Sequence, residues 1–177
     1  MNSSSEPSRT LAGRILKVNH AGEQGAVCIY AGQICMARWT ARPLLAEIRS
    51  FKAHEEGHRS IFLAELERRG VMRCKSYWLC AVGGYVLGLL TGLLGARAIS
   101  LTTVAVERVV LKHLRQQLVA VADDAHAVAA ISAILHEEQG HLDAATAQVL
   151  AGGVLSRMIG WTVSSATESV IWLGMRL

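Results

Sequence analysis

Long runs of apolar and small residues, broken at a few points, organise this chain. Ser8 to Thr10 offers caps for a first helix reaching about Ala41, and Pro43 then interrupts the run. A second helix is expected from about Leu44 to Arg69, ending at Gly70. Residues 76–96 form a third, strongly apolar segment. A fourth helix is expected over roughly Ile99 to Ala122, with Asp123 and Asp124 as a turn or cap, and a fifth from about Ala125 to Leu150. Gly152 and Gly153 stop the fifth, and a last apolar helix covers about Val154 to Met175. The expected fold is all-α, with residues 1–10 a disordered N-terminus and residues 11–177 a single domain.

Composition supports that class. Half of the residues are hydrophobic (51%), yet aromatics make up only 5% and two prolines occur, which favours helices over short strands. The net charge of +4 is scattered, with one small cluster at Arg68, Arg69, Arg73 and Lys75. No basic stripe is interleaved with aromatics, so no nucleic-acid partner is expected. The cluster suits an anionic membrane surface or a solvated helix end. Cys28, Cys35, Cys74 and Cys80 lack C-x-x-C spacing and read as reduced thiols on packed helices. Met1 to Thr10 is short and polar without a hydrophobic region, which points to a cytoplasm-facing, bacterial protein.

The placement of acidic residues and histidines carries the chemistry. The second helix contains HEEGH, residues 54–58, and the fifth contains HEEQGH, residues 136–141, so each presents a carboxylate three residues before a histidine. Glu55 and His58, like Glu138 and His141, therefore share a helix face one turn apart and can converge on one metal. The first and fourth helices each add one glutamate among small or apolar neighbours, Glu23 and Glu107. Burying a lone carboxylate costs several kcal/mol unless it is paired or bound to metal. The order repeats: Glu23 precedes Glu55 by 32 positions and Glu107 precedes Glu138 by 31. One Glu from each of two helices plus E-x-x-H from each of two others is the ligand set of a ferritin-like four-helix bundle holding two iron or manganese ions.

His54-Glu55-x-x-His58 also matches H-E-x-x-H, the signature of a zinc metalloprotease. That reading leaves Glu23, Glu107, Glu138 and His141 without a purpose. A ferritin-like iron oxidase or storage protein is the other alternative, and storage would require a hollow assembly to which the apolar third segment is poorly suited.

The runs RILKVNHAGEQGAVCIYAGQ, EEGH, TVAVE and HEEQGH, in that order and spacing, resemble the demethoxyubiquinone hydroxylases of ubiquinone biosynthesis from Arg14 to Leu177. The most specific part is H-A-G-E followed by I-Y-A-G-Q. The resemblance implies a di-iron monooxygenase with Glu23, Glu55, His58, Glu107, Glu138 and His141 as metal ligands. It further implies two Fe ions bridged by Glu55 and/or Glu138, with O2 as oxidant and NADH as reductant. The implied substrate is a demethoxy-ubiquinol with a polyprenyl tail. A lipid-presenting accessory protein or a second copy of the chain is a candidate partner. No G-x-G-x-x-G fingerprint occurs, so no dinucleotide-binding domain is expected. The family usually has Asp where Asn19 stands and often Tyr where Gln24 stands. After Glu107 it tends to carry a His-Tyr pair thought to assist electron transfer, where this chain has His113 and Leu114. His113 is accordingly a candidate for assisting the metals without ligating them.

Ser76 to Ala96 is a run of 21 uncharged residues, enough to span a bilayer as one helix. Gly83, Gly84, Gly88, Gly92 and Gly95 also suit close helix packing, and the resemblance favours a protein lying in one leaflet. With Trp161 and Trp172 on the last helix, the expectation is a bundle with additional apolar, membrane-facing helices, peripheral on the cytoplasmic side of the cell membrane.

Overall fold

The computed structural model describes residues 10–149 and 152–177. Within them the chain is all-helical: α1 (Leu11–Thr40), a 3-10 turn (Arg42–Leu44), α2 (Leu45–Arg68), α3 (Tyr77–Leu93), α4 (Ala96–Ala120), α5 (Ala125–Gln148) and α6 (Val154–Gly174). The Thr10 hydroxyl accepts the Gly13 N–H at 3.0 Å and caps α1. The disorder expected of residues 1–10 otherwise lies outside the described residues. Pro43 sits in the 3-10 turn that redirects the chain into α2. Asp124 caps α5 by accepting the Ala127 N–H at 3.0 Å, and it also takes both Arg69 guanidinium arms at 2.7 Å. That fork ties the end of α2 to the start of α5.

The 21-residue uncharged run is not one rod. Gly95 adopts φ +89°, a left-handed conformation that an L side chain resists, and there α3 gives way to α4. No helix among the described residues is long and apolar enough to cross a membrane. The fourth helix consequently starts three residues earlier than its expected Ile99, at Ala96.

Helices α1, α2, α4 and α5 enclose two apolar clusters at different heights. One joins Ile15 and Leu16 of α1 to Phe62 and Leu66 of α2, Leu114 of α4, and Ile131 and Ile134 of α5. The other joins Tyr30 and Ala37 to Ile48, Phe51 and Ile99. The candidate ligands fall between these clusters along every helix. Outside this frame α3 lies along α1 and α6 along α4. The α1–α3 contact is close because glycines face backbone: a Cβ on Gly84 would collide with the Gly25 carbonyl oxygen, and one on Gly88 with that of Ile29. Gly83 meets nothing and takes no part. The outward faces of α3 and α6 expose Leu79, Val82, Val86, Leu90, Met158, Trp161 and Trp172.

Alanine at a helical glycine ordinarily stabilises by up to about 1 kcal/mol. Gly57→Ala, where nothing lies within 4 Å of the added Cβ, should follow that rule. Gly88→Ala should instead destabilise by about 3 kcal/mol through overpacking. Urea midpoints of the two variants check the contrast, and equal stabilisation would refute the close approach.

Candidate metal centre

The site is built from one helical turn on each of four helices. On α2 and α5 the three-residue spacing sets Glu55 with His58 and Glu138 with His141 on the faces that look inward. From α1 and α4 come Glu23 and Glu107. All six residues are buried, none more than 5% exposed. Their donor atoms form two overlapping groups, each within a 4.8 Å span: Glu23, Glu55, His58 and Glu138, and Glu55, Glu107, Glu138 and His141. Glu55 and Glu138 belong to both. His58 Nδ1 stands 3.0 Å from Glu138 Oε1 and 3.6 Å from Glu55 Oε2, and His141 Nδ1 stands 3.2 Å from Glu55 Oε1 and 3.8 Å from Glu138 Oε2.

Each imidazole is held from behind by the other motif. Glu137, just before Glu138, accepts from His58 Nε2 at 2.9 Å, and His54, just before Glu55, meets His141 Nε2 at 2.9 Å through its Nδ1. These outer contacts fix both rings with Nδ1 toward the carboxylates. Tyr30 donates its hydroxyl to Glu107 Oε1 at 3.2 Å, and Phe51 packs against the His141 ring with centroids 4.4 Å apart. The sequence pattern alone leaves His54, Glu137 and Tyr30 without a role. The symmetric position of His54 and Glu137, immediately before each motif's glutamate, is the signal that marks them. His54 and His58 do not converge on a common point as a zinc protease requires, because His54 is spent on His141.

Electrostatics show what the cluster lacks. Burial pushes Glu23 and Glu107 well above the ordinary carboxylate range, and the charges of Glu55 and Glu138 push them further. Burial also works against charge on His58 and His141, but the nearby Glu138 and Glu55 carboxylates outweigh it and raise them to about 10 and about 9. Glu138 resists burial in turn and is held below the usual range by the nearby His141 and His58 imidazoles. Protons thus stand where positive charge is needed. Even so, His58 Nδ1, His141 Nδ1, Glu55 Oε1 and Glu138 Oε2 are buried with no hydrogen-bond partner. Leaving one such atom unpaired costs about 1–3 kcal/mol, and these four face one shared space. Four carboxylates balance two divalent ions, and an oxygen-rich set with two imidazoles and no thiolate suits iron or manganese. The residues present therefore fit a two-metal group.

Beside the cluster lies a cavity of about 290 Å³ between α1 and α4, flanked by α3 and α6. Glu23, Glu55, Glu107 and Glu138 form part of its wall, and most of the remainder is apolar. Asn19 and Gln117 also line it, bonded to each other reciprocally at 2.8 and 3.0 Å. His113 is on this wall too, outside the two donor groups, with Nε2 2.6 Å from Glu168 Oε2.

Comparison with known proteins converges on one family. A family model described as ubiquinone biosynthesis protein COQ7 matches residues 10–174. The chain is 30% identical over 174 residues to the mitochondrial NADPH-dependent 3-demethoxyubiquinone 3-hydroxylase of Dictyostelium discoideum, covering 96% of this chain and 79% of that protein. It is likewise 30% identical over 169 residues to the 3-demethoxyubiquinol 3-hydroxylase of Rhodospirillum rubrum, covering 94% and 79%. The mouse NADPH-dependent 3-demethoxyubiquinone 3-hydroxylase is 34% identical over a shorter stretch of 112 residues.

Two ions entering the cluster should displace the protons on His58, His141, Glu23 and Glu107, releasing about four per chain near pH 7. Calorimetric titration with Fe(II) or Mn(II) in buffers of different ionisation enthalpy counts them. The sign for the metal-free chain also follows. The folded-state pKa values of both imidazoles are raised, so the stability they contribute is complete below about pH 6.5 and lost as pH climbs through about 9 and 10. The two raised carboxyls act in the same direction. The melting temperature of chelator-treated protein should therefore fall from pH 6.5 to pH 10.

Proposed function

The chain belongs to the ubiquinone biosynthesis protein COQ7 family, and from that premise we propose that it is a 3-demethoxyubiquinol 3-hydroxylase working through a di-iron carboxylate centre. The observation that carries this reading is the shared wall: an apolar cavity bounded by carboxylates of the candidate centre. In that position a quinol ring would lie against the carboxylates proposed to hold the metals, among largely apolar side chains. Neither an iron-storage role nor a protease accounts for a ring-sized apolar cavity walled by four of the six buried candidate ligands.

Glu23, Glu55, His58 and Glu138 would hold one iron, and Glu55, Glu107, Glu138 and His141 the other, with Glu55 and Glu138 common to both groups. When bound, the two ferrous ions supply electrons and the site at which dioxygen is activated for insertion of one oxygen atom into the ring. The chain's own residues do the rest. Glu137 and His54 keep the imidazoles aimed, and Tyr30 steadies Glu107 by a hydrogen bond. Asn19 and Gln117 satisfy each other, so the wall they share presents little unpaired polarity to an aromatic ring. A reduced nicotinamide is the ultimate electron source, NADH in the reading from sequence; the Dictyostelium relative is named for NADPH.

The polyprenyl tail leaves between α3 and α6, where Leu79, Gly83 and Leu87 face Ala166, Val170 and Ile171 across the cavity. The exposed apolar faces of these two helices would lie in one leaflet, with Arg73 and Lys75 ahead of α3 and Arg176 after α6 at the headgroups. Membrane attachment is then peripheral, and a lipid-presenting protein or a second copy of the chain could share the same surface.

Iron-loaded protein given a short-chain demethoxy-ubiquinol, oxygen and NADH should form the hydroxylated quinol, seen by chromatography of extracted quinones. Glu138→Ala should lower bound iron and abolish product; full iron content and turnover in that variant would sink the assignment. Met158→Lys combined with Trp161→Ser should reduce flotation with phosphatidylglycerol vesicles and raise KM for a long-tailed quinol, leaving the short-chain reaction unchanged.

A further inference from the structure

We propose that Glu168 is a positioning residue that fixes the tautomer of His113 so that its Nδ1 accepts a hydroxyl proton from a quinol ring in the cavity. The inference rests on the hydroxylase reading and deepens it by naming the group that handles the substrate's proton.

Three observations combine. His113 of α4 stands on the cavity wall, facing the space that Glu23 and Glu107 bound from the metal side. Its Nε2 lies 2.6 Å from Glu168 Oε2 on α6. The other Glu168 oxygen accepts from Lys112 Nζ at 2.8 Å. With Lys112 first and His113 second, these bonds hold the Glu168 carboxyl below its usual range, so it remains an ionised acceptor. An ionised carboxylate has no proton to donate, and Nε2 must therefore carry the ring hydrogen. In the neutral imidazole this leaves the lone pair on Nδ1, which has no hydrogen-bond partner among the described residues. Most of the surrounding wall is apolar, with Val106, Val110 and Leu114 nearby on α4, and the Asn19–Gln117 pair is engaged with itself. An uncommitted imidazole acceptor in such a wall fits a phenolic O–H.

The step is a proton transfer alone. The O–H bond of a ring hydroxyl breaks, an N–H bond forms at His113 Nδ1, and the electron pair stays on the ring oxygen. The resulting phenolate is richer in electrons at the ring carbons, which favours attack on an electrophilic oxidant. The imidazolium that forms is faced by the Glu168 carboxylate, and its proton goes back to oxygen in the product quinol.

Glu168→Gln keeps size and a hydrogen-bond partner but frees the imidazole to adopt either tautomer. Nitrogen NMR of histidine-labelled, metal-free protein at high pH should show Nδ1 of His113 as the unprotonated nitrogen in the wild type and a mixture in the variant. In iron-loaded protein with short-chain demethoxy-ubiquinol, oxygen and NADH, Glu168→Gln should lower kcat at least about tenfold. KM, iron content and melting temperature should stay near the wild-type values. In a His113→Ala background the same substitution should change kcat by less than about twofold, because a positioning residue has nothing left to position. Wild-type kcat in Glu168→Gln, an equal loss in both backgrounds, or a wild-type His113 with its proton on Nδ1 would each overturn the proposal. Absence of product from the wild type would instead overturn the hydroxylase reading, so the two failures are distinguishable.

Discussion

Four carboxylates and two imidazoles buried in the middle of an apolar bundle form the constraint on which the rest of this structure depends. Each charge taken from water costs several kcal/mol unless opposite charge meets it. Protons supply that charge in part, on His58, His141, Glu23 and Glu107, yet four inward-facing atoms stay unpaired. The apolar clusters above and below do not relieve the problem. They sharpen it, because they exclude the water that would otherwise solvate the site. A pair of divalent cations answers both the charge and the geometry. The same exclusion of water strengthens every interaction between the ligands and whatever binds beside them.

The helical period made much of this arrangement legible in the sequence. E-x-x-H places two donors on one helix face regardless of tertiary context, and its recurrence after a lone glutamate specifies four helices and their facing sides. Partners that reach between helices have no such local rule. His54 and Glu137 look like surface polar residues on their own helices, and only the crossing of α2 and α5 sets each behind the other's histidine. Glu168, 55 positions from the His113 it contacts, is equally invisible to any local rule. The uncharged run shows the opposite failure. Hydropathy reads residues 76–96 as continuous, whereas the backbone turns at Gly95 because a left-handed φ is open to glycine. Of the glycines that look like membrane-helix packing motifs, Gly84, Gly88 and Gly92 serve a contact within the chain, letting α3 lie against the α1 backbone.

The α1–α3 contact has a consequence for the site. Because the glycine stripe brings α3 against the helix carrying Glu23, the inner edge of α3 becomes a cavity wall while its outer face stays exposed and apolar. One helix thus joins a greasy exterior to a carboxylate-lined interior within a single thickness of backbone. The α6 helix repeats the arrangement against α4.

Departures from the family pattern fall around the ligands, and each is absorbed by a specific contact. An Asp at position 19 could only accept from Gln117 and would set another negative charge one turn from Glu23; Asn19 exchanges bonds in both directions and leaves the wall neutral. Gln24 accepts from Arg59 of α2 and, at 2.8 Å, from the Tyr77 hydroxyl of α3, so one amide oxygen ties three helices together beside Glu23. A tyrosine there could not place a carbonyl oxygen between the same two donors. Leu114 stands where the family tends to carry tyrosine, and it is buried in the apolar cluster with Ile131 and Ile134. His113, its neighbour, takes its hydrogen-bond partner from α6. What α4 and α6 present together at this wall is therefore a carboxylate–imidazole pair.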